Sequence, residues 1–367
     1  MTARVVVAAA ALVVVAASCG STEQRLDGDL LITADRMFDG RTFVKPGAVL
    51  VRGGRIIAAD RSLRARVRKT IDVGHATILP GFVDLHVHTV PADTVRGGVT
   101  TVRDLGAPLA YLRPPRRAHG VRILMAGPLV TVPRGYPTPV YGHDIALDVR
   151  GVASARKAVR LLARRGAAVV KIALEPGFGE WPILTVPEVR AIVAEAHAHG
   201  LMVTAHAMGP AGTETAVEGG VDELAHVPCG ANDATLRTLV RRRVPVVATL
   251  HVIQLVRGGC HEVAARFVKL GGRLLYGTDV GNIGIPSGID VTELRLMMDV
   301  GLTPTQVLAT ATSQAATEAG LAPLGRLTPG APADVIAVRG DARKLHGDLA
   351  RPLVVVSGGR IVVDRVG

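Results

Sequence analysis

Short apolar runs separated by glycine and proline recur along the chain, and their spacing predicts its architecture. Residues 28–80 and residues 323–367 both consist of strand-like runs of this kind. Dipeptides typical of hairpin turns interrupt them: Asp39-Gly40, Gly53-Gly54 and Gly358-Gly359. We therefore expect the two ends of the chain to build one small composite β-sandwich.

Between residues 81 and 322 the pattern alternates strand-like and helix-like segments. Eight apolar runs predict strands at 82–88, 99–104, 121–126, 168–173, 201–206, 221–226, 244–251 and 273–279. Among the intervening helices, the clearest begins at Thr185 with Glu188 in a capping box and runs to Gly200, and another runs from Thr303 to Gly320. Eight such units predict an α/β fold, a (β/α)8 barrel of the TIM type, over residues 81–322.

The first nineteen residues have a different pattern. Residues 5–17 are uniformly apolar and are followed by Ser18 and Cys19, which is the layout of a signal peptide and is too short to span a bilayer. The small residues before Cys19 resemble the lipobox of bacterial lipoproteins, so Cys19 is the expected lipidation site. We expect an exported protein, anchored through Cys19 on the outer face of the cell membrane or else secreted. An incorrectly assigned start codon is the remaining alternative.

Composition narrows the class of protein further. Hydrophobic residues make up 48% and charged residues 20%, which is typical of a globular chain and excludes disorder over most of it. The net charge is +12, but aromatic residues are only 3% and no nucleic-acid motif occurs, so nucleic acid is not an expected partner. We expect the excess arginine to be mainly a solvated surface, with weak attraction to anionic surfaces as the alternative. Besides Cys19, two cysteines are too few for a disulfide framework.

Side chains that bind metals concentrate at the ends of the predicted strands. They are His86, His88, Lys171, His206, His226, His251 and Asp279. The active sites of TIM-type barrels lie at the carboxyl ends of the strands. Because His86 and His88 are two residues apart on a strand, both imidazoles face the same side and can bind one ion. Burying this many imidazoles without a ligand would be costly, so the pattern predicts a metal site.

The segments that contain these residues resemble the amidohydrolase superfamily, and the resemblance covers nearly the whole mature chain. The matching motifs are PGFVDLHVH at 80–88, GVTTVRD at 98–104, VVKI at 169–172, VTAHA at 203–207, ELAHV at 223–227, YGTD at 276–279 and PGAPAD at 329–334. Lys171 on the fourth strand is similar to the branch that contains Xaa-Pro dipeptidases and imidazolonepropionase-like hydrolases, in particular its binuclear members.

The resemblance implies two divalent metal ions, with zinc as the expected metal. The implied ligands are His86, His88 and Asp279 for one ion, His206 and His226 for the other, and carboxylated Lys171 as the bridge. A lysine ammonium has no lone pair and would repel two cations, so this role requires the carbamate. In the family, the residue at the position of Asp279 takes a proton from the attacking water and delivers it to the leaving amine.

The implied activity is hydrolysis of amide or peptide-like C–N bonds of a small molecule by a metal-activated hydroxide. A dipeptide, an N-acyl amino acid or a cyclic amide would fit this chemistry. Tyr141 and His143 are candidates for substrate binding, and His143 resembles the histidine of a glycine-rich loop in related hydrolases. His251 is expected either to act on the carbonyl or bound product, or to support the site by a hydrogen bond. Arg257 would pair with a substrate carboxylate if its loop folds inward, and would otherwise be solvated.

Two other functions stay open at this point. In a mononuclear deaminase or an imidazolonepropionase-type enzyme, one ion would be bound by His86, His88, His206 and Asp279. In a surface lipoprotein without catalytic activity, the fold would serve as a binding module. The expected partner is a small-molecule substrate, and a homo-oligomer is compatible with the sequence.

Overall fold

The computed structural model describes residues 26–177 and 179–366, which form a mixed α/β structure. The expected signal peptide of residues 1–19 and the expected lipidation site Cys19 lie outside these ranges. None of the described helices is long and apolar enough to cross a membrane.

The described residues contain the eight strands predicted between residues 81 and 322, several of them shorter than predicted, and three further strands there at 116–118, 129–131 and 146–148 that were not predicted. The strands are β1 (Leu26–Ala34), β2 (Arg36–Phe38), β3 (Phe43–Val44), β4 (Gly47–Arg52), β5 (Arg55–Asp60), β6 (Ala65–Asp72), β7 (Ala76–Pro80), β8 (Phe82–Val87), β9 (Val99–Asp104), β10 (Arg116–Ala118), β11 (Val121–Met125), β12 (Leu129–Thr131), β13 (Ala146–Asp148), β14 (Val170–Ala173), β15 (Val203–His206), β16 (Glu223–Leu224), β17 (Val246–Val247), β18 (Leu274–Leu275), β19 (Val335–Arg339), β20 (Val354–Ser357) and β21 (Arg360–Asp364). The α-helices are α1 (Thr138–Tyr141), α2 (Gly151–Arg164), α3 (Val186–Ala198), α4 (Pro210–Gly219), α5 (Asp233–Arg242), α6 (Leu250–Arg257), α7 (His261–Lys269), α8 (Val291–Asp299), α9 (Pro304–Thr310) and α10 (Ser313–Glu318). Short 3₁₀ helices span Leu109–Tyr111, Ala342–Lys344 and Gly347–Ala350.

The two ends of the chain form two sheets, with strand orders β5-β4-β1-β6 and β21-β20-β19-β7-β2-β3. The antiparallel pairing of β7 with β19 joins N-terminal and C-terminal segments in one sheet. All three predicted hairpin turns are confirmed, because they connect β2 to β3, β4 to β5, and β20 to β21. Ile32 and Val49 from the first sheet share a buried hydrophobic cluster with Ile78 and Val335 from the second.

The middle of the chain contributes two further sheets, β10-β11-β9-β8 and β13-β12-β14-β15-β16-β17-β18. Their strands pair in parallel, except for β10, which is antiparallel to β11. Backbone hydrogen bonds also connect these two sheets to each other at two places. Ala168 N, just before β14, donates to Met125 O of β11 at 2.8 Å. Leu85 N of β8 donates to Tyr276 O, just after β18, at 3.3 Å. Because the strands run in parallel, the polar residues at their carboxyl ends lie at one end of the structure.

The prediction that the seventh strand runs to His251 is wrong. β17 contains only Val246–Val247, and His251 lies in α6. Thr249 has a φ of 44°, which turns the chain out of the strand. The backbone N–H groups of Leu250 and His251 then donate to the Glu293 carboxylate at 3.0 and 2.7 Å. These donors belong to the first turn of α6, so the glutamate supplies the acceptor that the helix start lacks.

The predicted helix from Thr303 to Gly320 is two helices, α9 and α10. Its start is confirmed, because Thr303 and Gln306 form a capping box. The helix does not continue past Ala311, because the Ala311 carbonyl accepts a hydrogen bond from Val83 N of β8 at 2.8 Å. The hydrogen bond at the break therefore connects the segment between α9 and α10 to β8, the strand that contains His86.

The predicted capping box at the start of α3 is also present, and it fastens α3 to α2. One Glu188 carboxylate oxygen accepts from Thr185 N at 2.8 Å and from Thr185 Oγ1 at 2.7 Å. The other oxygen accepts from Gly151 N at 2.7 Å. Glu188 therefore satisfies donors at the N-termini of two neighbouring helices.

We expect a Glu188→Ala variant to lose about 2 kcal/mol of unfolding free energy, because three donors lose a charged acceptor. Glu188→Gln keeps one acceptor oxygen and should lose less. Urea unfolding followed by circular dichroism measures both. Glu180→Ala, at an exposed position, is the matched control. If Glu188→Ala unfolds at the same urea concentration as this control, the carboxylate does not stabilise the helix pair.

Candidate metal centre

A cavity of about 180 Å³ lies at the carboxyl ends of the parallel strands. The side chains that line it include His88, Tyr136, Tyr141, Lys171, His206, His226 and Asp279. Five of these seven were predicted to be metal ligands from their place after apolar runs. The structure thus brings together residues that are up to 191 positions apart in the sequence, counting from His88 to Asp279.

His86, His88 and Asp279 meet at the floor of the cavity. His88 Nε2 lies 3.2 Å from His86 Nε2 and 3.1 Å from Asp279 Oδ1, and His86 Nε2 lies 3.4 Å from the same oxygen. One ligand atom each from His86, His226 and Asp279 lies within 4.8 Å of the other two. Converging imidazole nitrogens and a carboxylate oxygen are the ligand types that zinc-like divalent ions prefer.

Hydrogen bonds from the far side of two rings fix the orientation of these ligands. His86 Nδ1 lies 2.9 Å from the Ala225 carbonyl oxygen, and His226 Nδ1 lies 2.9 Å from Thr249 Oγ1. In each ring Nε2 is then free to face the cluster, which is the usual arrangement around a metal-bound histidine. Burial, reinforced by neighbouring cationic groups, lowers the pKa of His86 and of His226 well below the ordinary value. Both rings are therefore neutral and have a lone pair to offer.

A buried aspartate that sequence reasoning missed holds the floor of the cavity together. Asp84 accepts hydrogen bonds from His86 N at 3.0 Å, Thr278 N at 3.1 Å and Thr278 Oγ1 at 2.6 Å. Asp279, the next residue, has a φ of 62°, a conformation that non-glycine residues rarely adopt. Burial raises the pKa of Asp84 to about 7. Its sequence signal is an acidic residue inside the apolar run before His86.

Lys171 on β14 is 1% exposed, and its amine faces the same cavity. Within the described residues, neither Lys171 Nζ nor Asp279 Oδ1 has a hydrogen-bond partner, although both atoms are buried. Burial lowers the pKa of Lys171 to about 7. Unpartnered buried polar atoms next to neutral imidazoles indicate that a ligand is required here, and the donor set fits divalent ions.

His206 occupies the side of the cavity, between an acidic group and an aromatic ring. Its ring centroid lies 4.6 Å from that of His226. Its Nε2 lies 3.6 Å from Glu175 Oε2, and Arg257 Nη2 lies 3.4 Å from the same oxygen. The Tyr136 ring stacks on His206, with centroids 4.4 Å apart and planes at 25°. The segment that carries Arg257 therefore does fold inward, and Arg257 pairs with Glu175.

Three other predicted site residues have different outcomes. Tyr141 lines the mouth of the cavity and is 56% exposed. His143, predicted to bind substrate, is exposed and does not line the cavity, because α1 ends at Tyr141 and Gly142 follows with a φ of 81°. His251 also lies outside the lining, and its Nδ1 is 2.6 Å from Asp290 Oδ2. Both expected roles of His251 therefore stay predictions. Tyr136, which was not predicted, lines the cavity.

A disulfide joins Cys229 and Cys260 beside the site. The sequence analysis did not predict this bond. Cys229 lies three residues after His226, and Cys260 immediately precedes α7. The bond therefore fixes the loop after β16 to the segment that follows Arg257.

The chain is similar to several known proteins in sequence and in structure. An ochratoxinase of Aspergillus niger is 31% identical over 234 residues, which cover 55% of this chain and 47% of that enzyme. The chain thus matches about half the length of that relative. An imidazolonepropionase of Symbiobacterium thermophilum is 26% identical, and the match covers 90% of this chain and 93% of that enzyme. A solved Xaa-Pro dipeptidase with methionine bound in its active site has a TM-score of 0.80 at 22% identity, covering 91% of this chain and 99% of that one.

The similarity to the solved dipeptidase shows a shared fold. The match to a family model also shows the family. Residues 77–363 match the Amidohydrolase family. This range contains each residue of the cluster and each motif that pointed to this family in the sequence, so the resemblance is confirmed. The chain belongs to the amidohydrolase family.

Proposed function

We propose that this protein is a metal-dependent hydrolase that cleaves amide or peptide-like C–N bonds of small molecules. One observation carries the proposal: neutral imidazoles and the Asp279 carboxylate converge beside the buried, unpartnered amine of Lys171. Membership of the amidohydrolase family and the three named relatives support the same class of reaction. A dipeptide, an N-acyl amino acid or a cyclic amide is the proposed kind of substrate.

The residues present would hold two divalent ions, with zinc as the proposed metal. The proposed ligands are His86, His88 and Asp279 for one ion, His206 and His226 for the other, and Lys171 as a carbamate between them. Bound divalent ions polarise a carbonyl and lower the pKa of water. Conversion of Lys171 to the carbamate supplies two oxygens in place of one unpartnered nitrogen, which suits a position next to cations.

Asp279 is the proposed proton carrier. Its Oδ1 faces His86 and His88 and has no hydrogen-bond partner within the described residues, so it is free to accept a proton from the attacking water. It would then deliver that proton to the nitrogen of the leaving amine. The hydrogen bonds between Asp84 and Thr278 orient the residue that precedes Asp279 and so hold the carboxylate in place.

A single-ion enzyme, such as a deaminase or an imidazolonepropionase-type hydrolase, is the second candidate. One observation favours a single ion: the ligand atoms of His86, His226 and Asp279 form one set within 4.8 Å of one another. This set differs from the expected single-ion ligands, because His226 takes part in it and His206 Nε2 lies 3.6 Å from Glu175 Oε2. In such an enzyme Lys171 would bind no metal. The number of metal ions per chain separates the two candidates.

We also propose that the parallel strands form a (β/α)8 barrel over residues 81–322, with a composite β-sandwich from residues 28–80 and 323–367. The backbone hydrogen bonds from Leu85 N to Tyr276 O and from His88 N to Val280 O support closure between β8 and β18. The hydrophobic cluster shared by the two terminal sheets supports the sandwich.

Export, with lipidation of Cys19, is proposed for the cellular location. The disulfide between Cys229 and Cys260 supports it, because disulfides persist in oxidising compartments. Mass spectrometry of the mature N-terminal peptide tests this proposal. A cytoplasmic form that retains residues 1–19 would contradict it.

Elemental analysis of the mature protein, together with a hydrolysis screen, tests the proposed function. We expect about two divalent ions per chain and turnover of at least one dipeptide, N-acyl amino acid or cyclic amide. Removal of the metal by a chelator should abolish turnover, and zinc with bicarbonate should restore it. One ion per chain would favour the second candidate. A protein that binds no metal and hydrolyses none of these compounds with any added divalent ion would contradict both.

A further inference from the structure

We propose that Glu175 positions His206 for the ion that His206 and His226 would share, and that Arg257 in turn holds Glu175 in place. The inference rests on the proposed two-ion centre and assigns two positioning residues to it. Neither Glu175 nor Arg257 is among the described residues that line the cavity. Each would therefore act on the centre through His206 and not by contact with a substrate.

Two neighbouring parallel strands bring Glu175 and His206 together. Ala173, the last residue of β14, pairs with His206, the last residue of β15. Leu174 N, directly before Glu175, donates to the His206 carbonyl at 2.8 Å. Both side chains are buried, Glu175 at 4% and His206 at 8% exposure. The backbone therefore fixes the carboxylate beside the imidazole ring.

The contact between these two side chains determines which ring nitrogen is left for a metal. Glu175 Oε2 lies 3.6 Å from His206 Nε2, and it is buried without a hydrogen-bond partner among the described residues. A carboxylate oxygen only accepts hydrogen bonds, so the nitrogen next to it is the one that carries the proton. A neutral imidazole then has its lone pair on the other nitrogen, Nδ1, which is the atom left to bind an ion.

The partner of His206 differs from the partners of two other proposed ligands. His86 Nδ1 is held by the Ala225 carbonyl, and His226 Nδ1 by Thr249 Oγ1, both of them neutral oxygens. A carboxylate attracts the ring N–H more strongly than a neutral oxygen does. It thereby makes the imidazole a more basic ligand and fixes its orientation. We therefore expect the affinity for this ion to depend on the charge of Glu175.

Arg257 supports the carboxylate from outside the cavity. Its Nη2 lies 3.4 Å from the same Glu175 oxygen. Arg257 is the last residue of α6, and the disulfide between Cys260 and Cys229 holds the segment that follows it. A buried carboxylate without a positive neighbour would be costly. The guanidinium therefore allows Glu175 to stay charged next to His206.

The Glu175→Gln variant keeps the shape of the side chain and removes its charge. In zinc titrations against a chromophoric chelator, we expect the affinity for one ion to fall about 10-fold to 100-fold, and the affinity for the other ion to stay unchanged. In the cobalt-substituted protein, the absorption bands of that one site should change. Glu180→Gln, at an exposed glutamate between β14 and α3, is the matched control.

The Arg257→Gln variant tests the second step. It should weaken binding of the same ion by a smaller factor, and Arg257→Lys, which keeps the positive charge, should recover part of the affinity. Because Arg257 acts through Glu175, the double variant should bind that ion as weakly as Glu175→Gln alone. Additive effects of the two substitutions would contradict this step. Arg237→Gln, at an exposed arginine of α5, is the control.

The outcomes separate this inference from the proposed function. If the wild type binds two ions and hydrolyses a substrate, but Glu175→Gln binds both ions with unchanged affinity, the inference is wrong and the proposed function stands. A wild type with one ion would overturn the inference even if active, and one without metal would overturn both. Equal loss of affinity for both ions, with lower urea stability of the metal-free variant, would show that Glu175 supports the fold and would also overturn the inference.

Discussion

Replacement of Lys171 by alanine is expected to lower kcat/KM by about 1000-fold or more and to reduce bound metal from about two ions per chain to one or none. The amine is buried and faces the same cavity as His206, His226 and Asp279. In the proposed centre its carbamate is the bridge between the ions. Without it, repulsion between two dications is no longer offset by a shared anionic ligand.

Added carboxylate provides a direct check on this explanation. Lys171→Ala leaves a space next to the ligands, and a short acid such as propionate can offer two oxygens there. We therefore expect propionate with zinc to restore part of the activity and of the second ion. Elemental analysis and steady-state kinetics on the same samples measure both effects.

Lys157→Ala is the control for this variant, because Lys157 is an exposed lysine on α2. It should keep the metal content and kcat of the wild type. Unchanged metal content in Lys171→Ala would contradict the bridged pair and favour the single-ion candidate. Loss of activity with no rescue and with a lower melting temperature would indicate that Lys171 serves the fold.

Much of the candidate site could be predicted from sequence because strand geometry is local. His86 and His88 alternate with apolar residues on one strand, so their common direction follows from the two-residue period of β-structure. His206, His226 and Asp279 each follow an apolar run. The parallel arrangement then gathers the ends of these runs at one edge, which requires no knowledge of the loops.

The rest depends on contacts between distant segments, which a single sequence does not reveal. His251 lies in the first turn of a helix because Glu293, 42 residues later, accepts the first backbone donors of that helix. Tyr136 enters the cavity because Gly135 permits close packing against Pro182. The sequence analysis selected His143 for substrate binding because it resembles the histidine of a glycine-rich loop, but in the structure His143 is exposed. Loop positions were therefore the least predictable part of the site.

The sequence motifs also did not predict a buried ion pair in the proposed barrel region. Both of its residues lie in motifs, but the motifs do not show that the two side chains meet. Arg103 of β9 is 1% exposed and Glu223 of β16 is fully buried. Arg103 Nη2 donates to Glu223 Oε1 at 2.5 Å, and Arg103 Nε donates to the Leu85 carbonyl at 2.9 Å. Thr204 Oγ1 donates to the same glutamate oxygen at 2.6 Å. The network thus connects four parallel strands, β8, β9, β15 and β16, from the inside.

Removing either partner of this pair is expected to lower the unfolding free energy by about 3 to 5 kcal/mol, because an unpaired charge stays buried. Arg103→Met and Glu223→Leu are the two single variants. The double variant replaces both charges with apolar side chains of similar length and should be far more stable than either single variant. Urea unfolding of the four proteins gives the coupling energy between the two sites.

The double variant also distinguishes an effect of the ion pair on the stability of the fold from an effect on metal binding and activity. The charges of Arg103 and Glu223 act in opposite directions on the pKa of Lys171, which Arg103 lowers and Glu223 raises. Removing both charges together removes two opposing effects on Lys171, so the double variant should keep its metal content and most of its activity. A double variant as unstable as the single ones would show that the shape of the pair, and not its charge, holds the strands. A stable double variant that has lost metal would instead show that the ion pair supports the metal centre, since both charges act on Lys171, which lines the cavity.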